Sequence, residues 1–296
     1  FNNKNNNCKI MIIDILNYIV PKTNQNNRLL KLNEKILNNF NDKKFNKVPK
    51  YELIIQLIDI IKDDLGKEEH DITYNKTEIF RRNTENLNCG RHFKVFNKFS
   101  VIPEYCFSCY KVQISTKNVF SLIKLFFLFN TNYLENNNVR KCMVETRNNI
   151  SGKYKGYIYC IGLKEAEHTL KLINPILDNT IGVKIPRFIK RGCSEFGIAH
   201  PDYKELDPSN KNFMKYNETW KEKEEIIDSE LNAQVKGKKL IDEDKFYMKK
   251  NKIGITIRDA LVIYNWLFYA QKIKDENVKK LSKKIPYSSF IDKKFL

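Results

Sequence analysis

The sequence predicts an α+β protein with a small antiparallel sheet in mid-chain and helical regions on either side. Three observations carry this. Four stretches between about residues 109 and 192 alternate apolar and polar side chains, the period of a half-buried strand. Two stretches between them repeat at helical period. A chain of 296 residues that is 42% hydrophobic and 12% aromatic can bury a core of its own. The division expected is a helical region over 1–75, a sheet domain over 76–195 and a helical, lysine-rich region over 196–296.

Residues 1–9 are an Asn/Lys tract and read as a tail. A helix is expected over 10–20, where Pro21 stops it, and another over 29–40. A third covers 51–65, with Leu53, Leu57, Ile60 and Ile61 as its stripe and Gly66 as a C-terminal cap. Residues 68–88 are polar and read as loop. In 110–115, Tyr110, Val112 and Ile114 face away from Lys111, Gln113 and Ser115, which is a strand. Thr116 is placed to cap a helix over 117–129. Residues 141–147 alternate again, and 148–152 turn. In 154–162, Ile158 and Cys160 face one way and Tyr157, Tyr159 and Ile161 the other. A helix over 164–177 has Ala166, Leu170, Ile173 and Leu177 on one stripe. A last strand spans 183–191, and Pro186 within it belongs at a sheet edge. Further helices are expected over 220–231 and 256–274, joined by a lysine-rich connector over 235–252. The second opens on a capping box of Thr256 and Asp259 and has Ile263, Trp266, Leu267 and Ala270 as its buried stripe.

The order strand, helix, strand, strand, helix, strand is that of a ferredoxin-like βαββαβ domain. Within it, Lys155, Gly156, Tyr157 and Tyr159 resemble the third-strand signature of the RNA-recognition-motif family. The chain departs from that signature at Ile158, where the family has Gly or Ala, and at Gly162, where it has Phe or Tyr. The resemblance implies that Tyr157 and Tyr159 lie on the open sheet face and stack on bases, while Lys155 holds a phosphate. The other basic positions expected on that face are Lys111, Lys141, Arg147 and Lys184.

A second constellation pairs Cys89-Gly-Arg-His92 with Cys106-Phe-Ser-Cys109. Two-residue gaps let both members of a pair curl onto one ion. Thiolate and imidazole donors favour Zn2+, held structurally by Cys89, His92, Cys106 and Cys109. The competing reading is that the cysteines are simply small, buried side chains. Cys193, in the turn after Arg191-Gly192, could hold a reactive thiol.

A net charge of +18 and a pI of 9.4 favour polyanionic partners, although lysine far outnumbers arginine. Seven scattered cysteines do not form a secreted disulfide framework, so an intracellular, reducing compartment is expected. Neither a signal peptide nor a membrane span is expected: 10–20 is broken by Asp14 and Asn17, and the apolar run 119–129 contains Lys124. The chain has only ten glycines and no glycine-rich phosphate loop, HExxH or GxSxG motif, and so gives no catalytic residues. The function expected is therefore non-catalytic binding of nucleic acid, RNA first, through a basic, partly aromatic sheet face. The alternatives are a scaffold or assembly subunit that buries aromatic faces against protein partners, and a nucleic-acid-modifying enzyme with an unidentified site.

Overall fold

The computed structural model describes residues 25–40, 51–65, 74–81, 87–131, 134, 138–148, 150–235, 255–279, 281, 285 and 287–294. The helix expected over 10–20, the Gly66 cap and the connector after residue 235 lie outside them. α1 (Gln25–Asn39) and α2 (Tyr51–Leu65) form as the apolar spacing requires. Leu32, Ile36 and Phe40 share a core with Ile54, Leu57, Ile58 and Ile61.

The sheet has five strands, all paired antiparallel: β1 (Glu78–Arg81), β2 (Cys109–Thr116), β3 (Arg140–Val144), β4 (Tyr154–Ile161) and β5 (Arg187–Arg191), in the order β1-β3-β4-β2-β5. Four of them are the strands the alternation predicts. β5 begins one residue after Pro186, whose carbonyl accepts the Ser115 N–H at 2.8 Å, and it is an edge strand, where a proline costs no ladder bond.

α5 (Val119–Thr131) and α6 (Leu163–Thr180), which follow α3 (Cys89–Phe99) and α4 (Glu104–Ser108), pack on one face of the sheet. Tyr110, Val112, Ile114, Cys142, Val144, Tyr154, Ile158 and Cys160 face them in the main core. The alternation read in β2 and β4 is thus the alternation built. Thr116 is not the cap of α5. It is the last residue of β2, and the Asn118 carboxamide accepts the Ser121 N–H at 2.8 Å instead.

β1 corrects the expectation that 68–88 is loop. Its four residues are too few to alternate visibly, and distant contacts hold them. In α9 (Ile257–Lys272), Asn265 donates to the Tyr74 and Lys76 carbonyls at 2.7 and 2.9 Å, and Trp266 donates to the Thr77 carbonyl at 2.7 Å. Arg81 forks onto Asp259 at 3.1 and 2.7 Å. The capping box of Thr256 and Asp259 forms as read. The single buried stripe expected of α9 is too narrow: every residue from Ile257 to Ala270 is buried. Among the described residues, the chain between the sheet and α9 makes α7 (Ser194–Ala199), two 3-10 turns and α8 (Lys221–Val235), and the end makes α10 (Glu276–Lys279) and α11 (Ser289–Asp292). The main core runs from Leu32 to Ile291 and so draws on all three predicted regions. No described helix is long and apolar enough to cross a membrane.

Candidate functional site

The second face of the sheet carries the basic and aromatic residues. Register alone sets one row across all five strands: Phe80, Lys141, Tyr157, Gln113 and Phe188. A neighbouring row holds Tyr159, Lys111 and Lys190. The ammonium of Lys141 lies over the rings of Phe80 and Tyr157, at 5.5 and 5.4 Å. That of Lys111 lies 4.9 Å from the Tyr159 ring centre.

The face is not open along its length. Tyr157 and Tyr159 are each 7% exposed, in a cluster with Phe80, Leu87, Cys109, Val139 and Met143. Burial pushes the Tyr157 hydroxyl up to about 12. Lys155 is 1% exposed and pairs with Glu145 at 3.1 Å. Burial alone would raise Glu145, but Arg147 and Lys155 override it and hold the carboxyl at about 2. Arg147 is exposed beyond the end of β3, bound to Glu145 and Glu195. Lys184 is exposed in the connection before β5, off the sheet. The structure thus gathers Lys111, Lys141, Lys155, Tyr157 and Tyr159 on one face and leaves Arg147 and Lys184 outside it.

At the β5 edge the face opens into a cleft of about 450 Å³. Its lining includes Gln113, Ser151, Lys155, Phe188, Lys190 and Lys204, and no acidic residue. Phe188, in the same row as Tyr157, is 46% exposed. Lys190 is drawn down to about 8 by burial and by the nearby Lys111 charge, and donates to the Ser194 hydroxyl at 2.7 Å. The stem of Lys204 crosses α7 at Gly197, where an added Cβ would stand 2.8 Å from it. Phe188 and Lys190 were within the predicted last strand, but nothing local marked them as the accessible pair. Arg191 faces inward. Its guanidinium sits 4.2 Å from the Phe213 ring and 5.0 Å from the Tyr203 ring, and it bonds the Phe107 and Met214 carbonyls.

The sequence-predicted metal residues come together at the other end of the face. Cys89 and His92, one turn apart at the start of α3, line a small cavity with Cys106 of α4 and Cys109 of β2. Cys193, which ends the turn after β5, lines it too. All these thiols are free. Burial pushes Cys106 and Cys109 up, the latter to about 11. Among the described residues, no three His, Cys, Asp or Glu side chains stand close enough together to hold a metal ion as they lie. The His92 ring is stacked on Tyr105, with centres 5.2 Å apart.

The fold and its face define an α+β protein with a basic, aromatic sheet surface. No protein-family model, curated protein or solved structure matches the chain.

Proposed function

We propose that the chain binds single-stranded nucleic acid, RNA in particular, without catalysis. The observation that carries this is the cleft at the β5 edge: large enough for a nucleotide, lined by Lys190 and Lys204 without a carboxylate, and floored by the half-exposed ring of Phe188. Lysines take phosphates as point charges, and an exposed ring stacks on any base. Tyr157 continues the row of Phe188 across the sheet and Tyr159 the neighbouring row of Lys190, with Lys111 and Lys141 adding positive potential. The sheet order supports the ferredoxin-like assignment. From β5 to β3 it reads fourth, first, third, second strand of the βαββαβ run, with both crossover helices on the opposite face and β1 as an added edge.

Fluorescence anisotropy with single-stranded RNA and DNA oligonucleotides at several salt concentrations tests this. Phe188→Ala is expected to cost about 1–3 kcal/mol if one base stacks there. Lys190→Ala and Lys204→Ala should each flatten the logarithmic salt slope by about 0.7. Absence of binding at about 50 mM salt, or affinities that all three substitutions leave alone, would overturn the proposal. In the latter case Phe188 and the neighbouring exposed Ile198 would suit a protein partner better.

A further inference from the structure

Sequence spacing offers four donors for an ion, whereas the fold supplies a fifth that no local motif contains. Cys193 reaches the cavity of Cys89, His92, Cys106 and Cys109 from the β5–α7 turn, 84 residues beyond Cys109 in the chain. We infer that Cys89, Cys106, Cys109 and Cys193 form a structural site for one thiophilic divalent cation, zinc by the chemistry of its donors, and that His92 is not a ligand.

Three features of the geometry support this assignment. The cavity is small and offers about 10 Å³, room for a single ion or water. Its sulfurs come from three separate segments, and none is tied up in a disulfide. Tetrahedral coordination needs four donors, and the four thiols supply them without His92, whose ring stacks on Tyr105. The thiols do not yet stand at coordinating distance, and closure requires cysteine side chains to turn about χ1 between staggered wells. Four thiolates on a divalent ion leave two negative charges. The Lys111 ammonium, 3.2 Å from the Cys193 sulfur, supplies an N–H···S bond and a countercharge. Close fit behind the site keeps Cys193 in place. Gly192 has φ +51°, and a Cβ there would fall 2.0 Å from the Tyr203 hydroxyl, which itself donates to the Cys106 carbonyl. A bound ion would staple α3, the α4–β2 junction and the β5–α7 turn together, directly beside Tyr159 and Lys111 of the basic face.

The test is metal analysis and thiol mapping on the full chain, purified without chelator and supplied with zinc alone. About one zinc per chain is expected. Zinc should protect Cys89, Cys106, Cys109 and Cys193 from maleimide, a chelator should remove that protection, and Cys142 and Cys160 should be indifferent to both. Because the mapping uses the unsubstituted protein, it stands even where a variant fails to fold. With cobalt in place of zinc, His92→Asn should keep the thiolate-to-metal absorption, and Cys193→Ser should lose it or weaken affinity at least tenfold. Substoichiometric metal in the parent, a protected set without Cys193, or loss of cobalt binding in His92→Asn would overturn the assignment.

Discussion

At Gly156 the core face of β4 has room for a hydrogen and nothing larger: a Cβ would stand 2.4 Å from Leu125 and 3.1 Å from the Phe129 ring of α5. The glycine that resembles a recognition signature is therefore also what lets a phenylalanine-rich helix lie flat on the sheet. Lys155, next to it, shows the limit of reading residues singly. As a sequence it is a phosphate ligand, but as a structure it is a buried cation whose partner, Glu145, lies just past β3 and is reached only through strand register. That pair makes a prediction about pH. The Glu145 carboxyl is held at about 2, below the ordinary carboxylate value of about 4.3 that it regains on unfolding. A depressed folded value contributes stability above the unfolded one, and that stability is lost as pH falls toward 2. Urea titrations from about pH 5 to pH 2 should show the parent losing roughly 2–3 kcal/mol more than Glu145→Gln, which should already be less stable at neutral pH because Lys155 is left buried alone. Parallel pH profiles for the two proteins would refute it.

Among the elements, those with long periodic patterns were legible and those made by distant partners were not. α2, α6, β2 and β4 follow from spacing because their own side chains face one contiguous core. β1 did not, because Asn265, Trp266 and Asp259 of α9 hold it and its approach from far along the chain. The site divides the same way. Four cysteine-cluster residues were visible as two short motifs, while Cys193 became a neighbour only when β5 paired with β2. α3, which begins with Cys89, is fixed by an element that sequence could not assign to it. Arg91 forks onto Asp228 of α8 at 2.6 and 2.7 Å and reaches Glu224 at 2.5 Å. Glu224 in turn accepts from the Glu104 N–H and the Tyr216 hydroxyl, so one carboxylate joins α8 to α3 and α4. Arg91→Ala should cost about 2–3 kcal/mol, because Glu224 is nearly buried and would lose its cation. Arg91→Lys should recover less than half, since an ammonium cannot fork. A shift in urea midpoint with unchanged m-value is the expected readout, and a midpoint like that of the parent would remove the clamp from the account.

On the scale of the whole molecule, 53 basic against 35 acidic residues leave a net charge of +18, and the sheet concentrates part of that excess. Lys111 and Lys190 are register partners across β2 and β5, like charges placed directly opposite, which destabilises a ladder. Lys141 and Lys155 flank the same central tyrosines. A fold built for stability alone would not choose this arrangement, whereas one that awaits a polyanion gains from it, because the ligand removes the repulsion when it binds. The trade-off can be measured directly. The melting temperature should climb between about 20 and about 200 mM salt, where screening of exposed charges becomes short-ranged. At the low-salt end, single-stranded RNA should raise it further. Lys190→Gln should melt higher than the parent at low salt, despite losing its bond to Ser194, and should bind RNA more weakly. A salt-independent melting temperature, or a Lys190→Gln protein both less stable and equally tight for RNA, would mean that the lysines on this face are structural and that its charge serves no ligand.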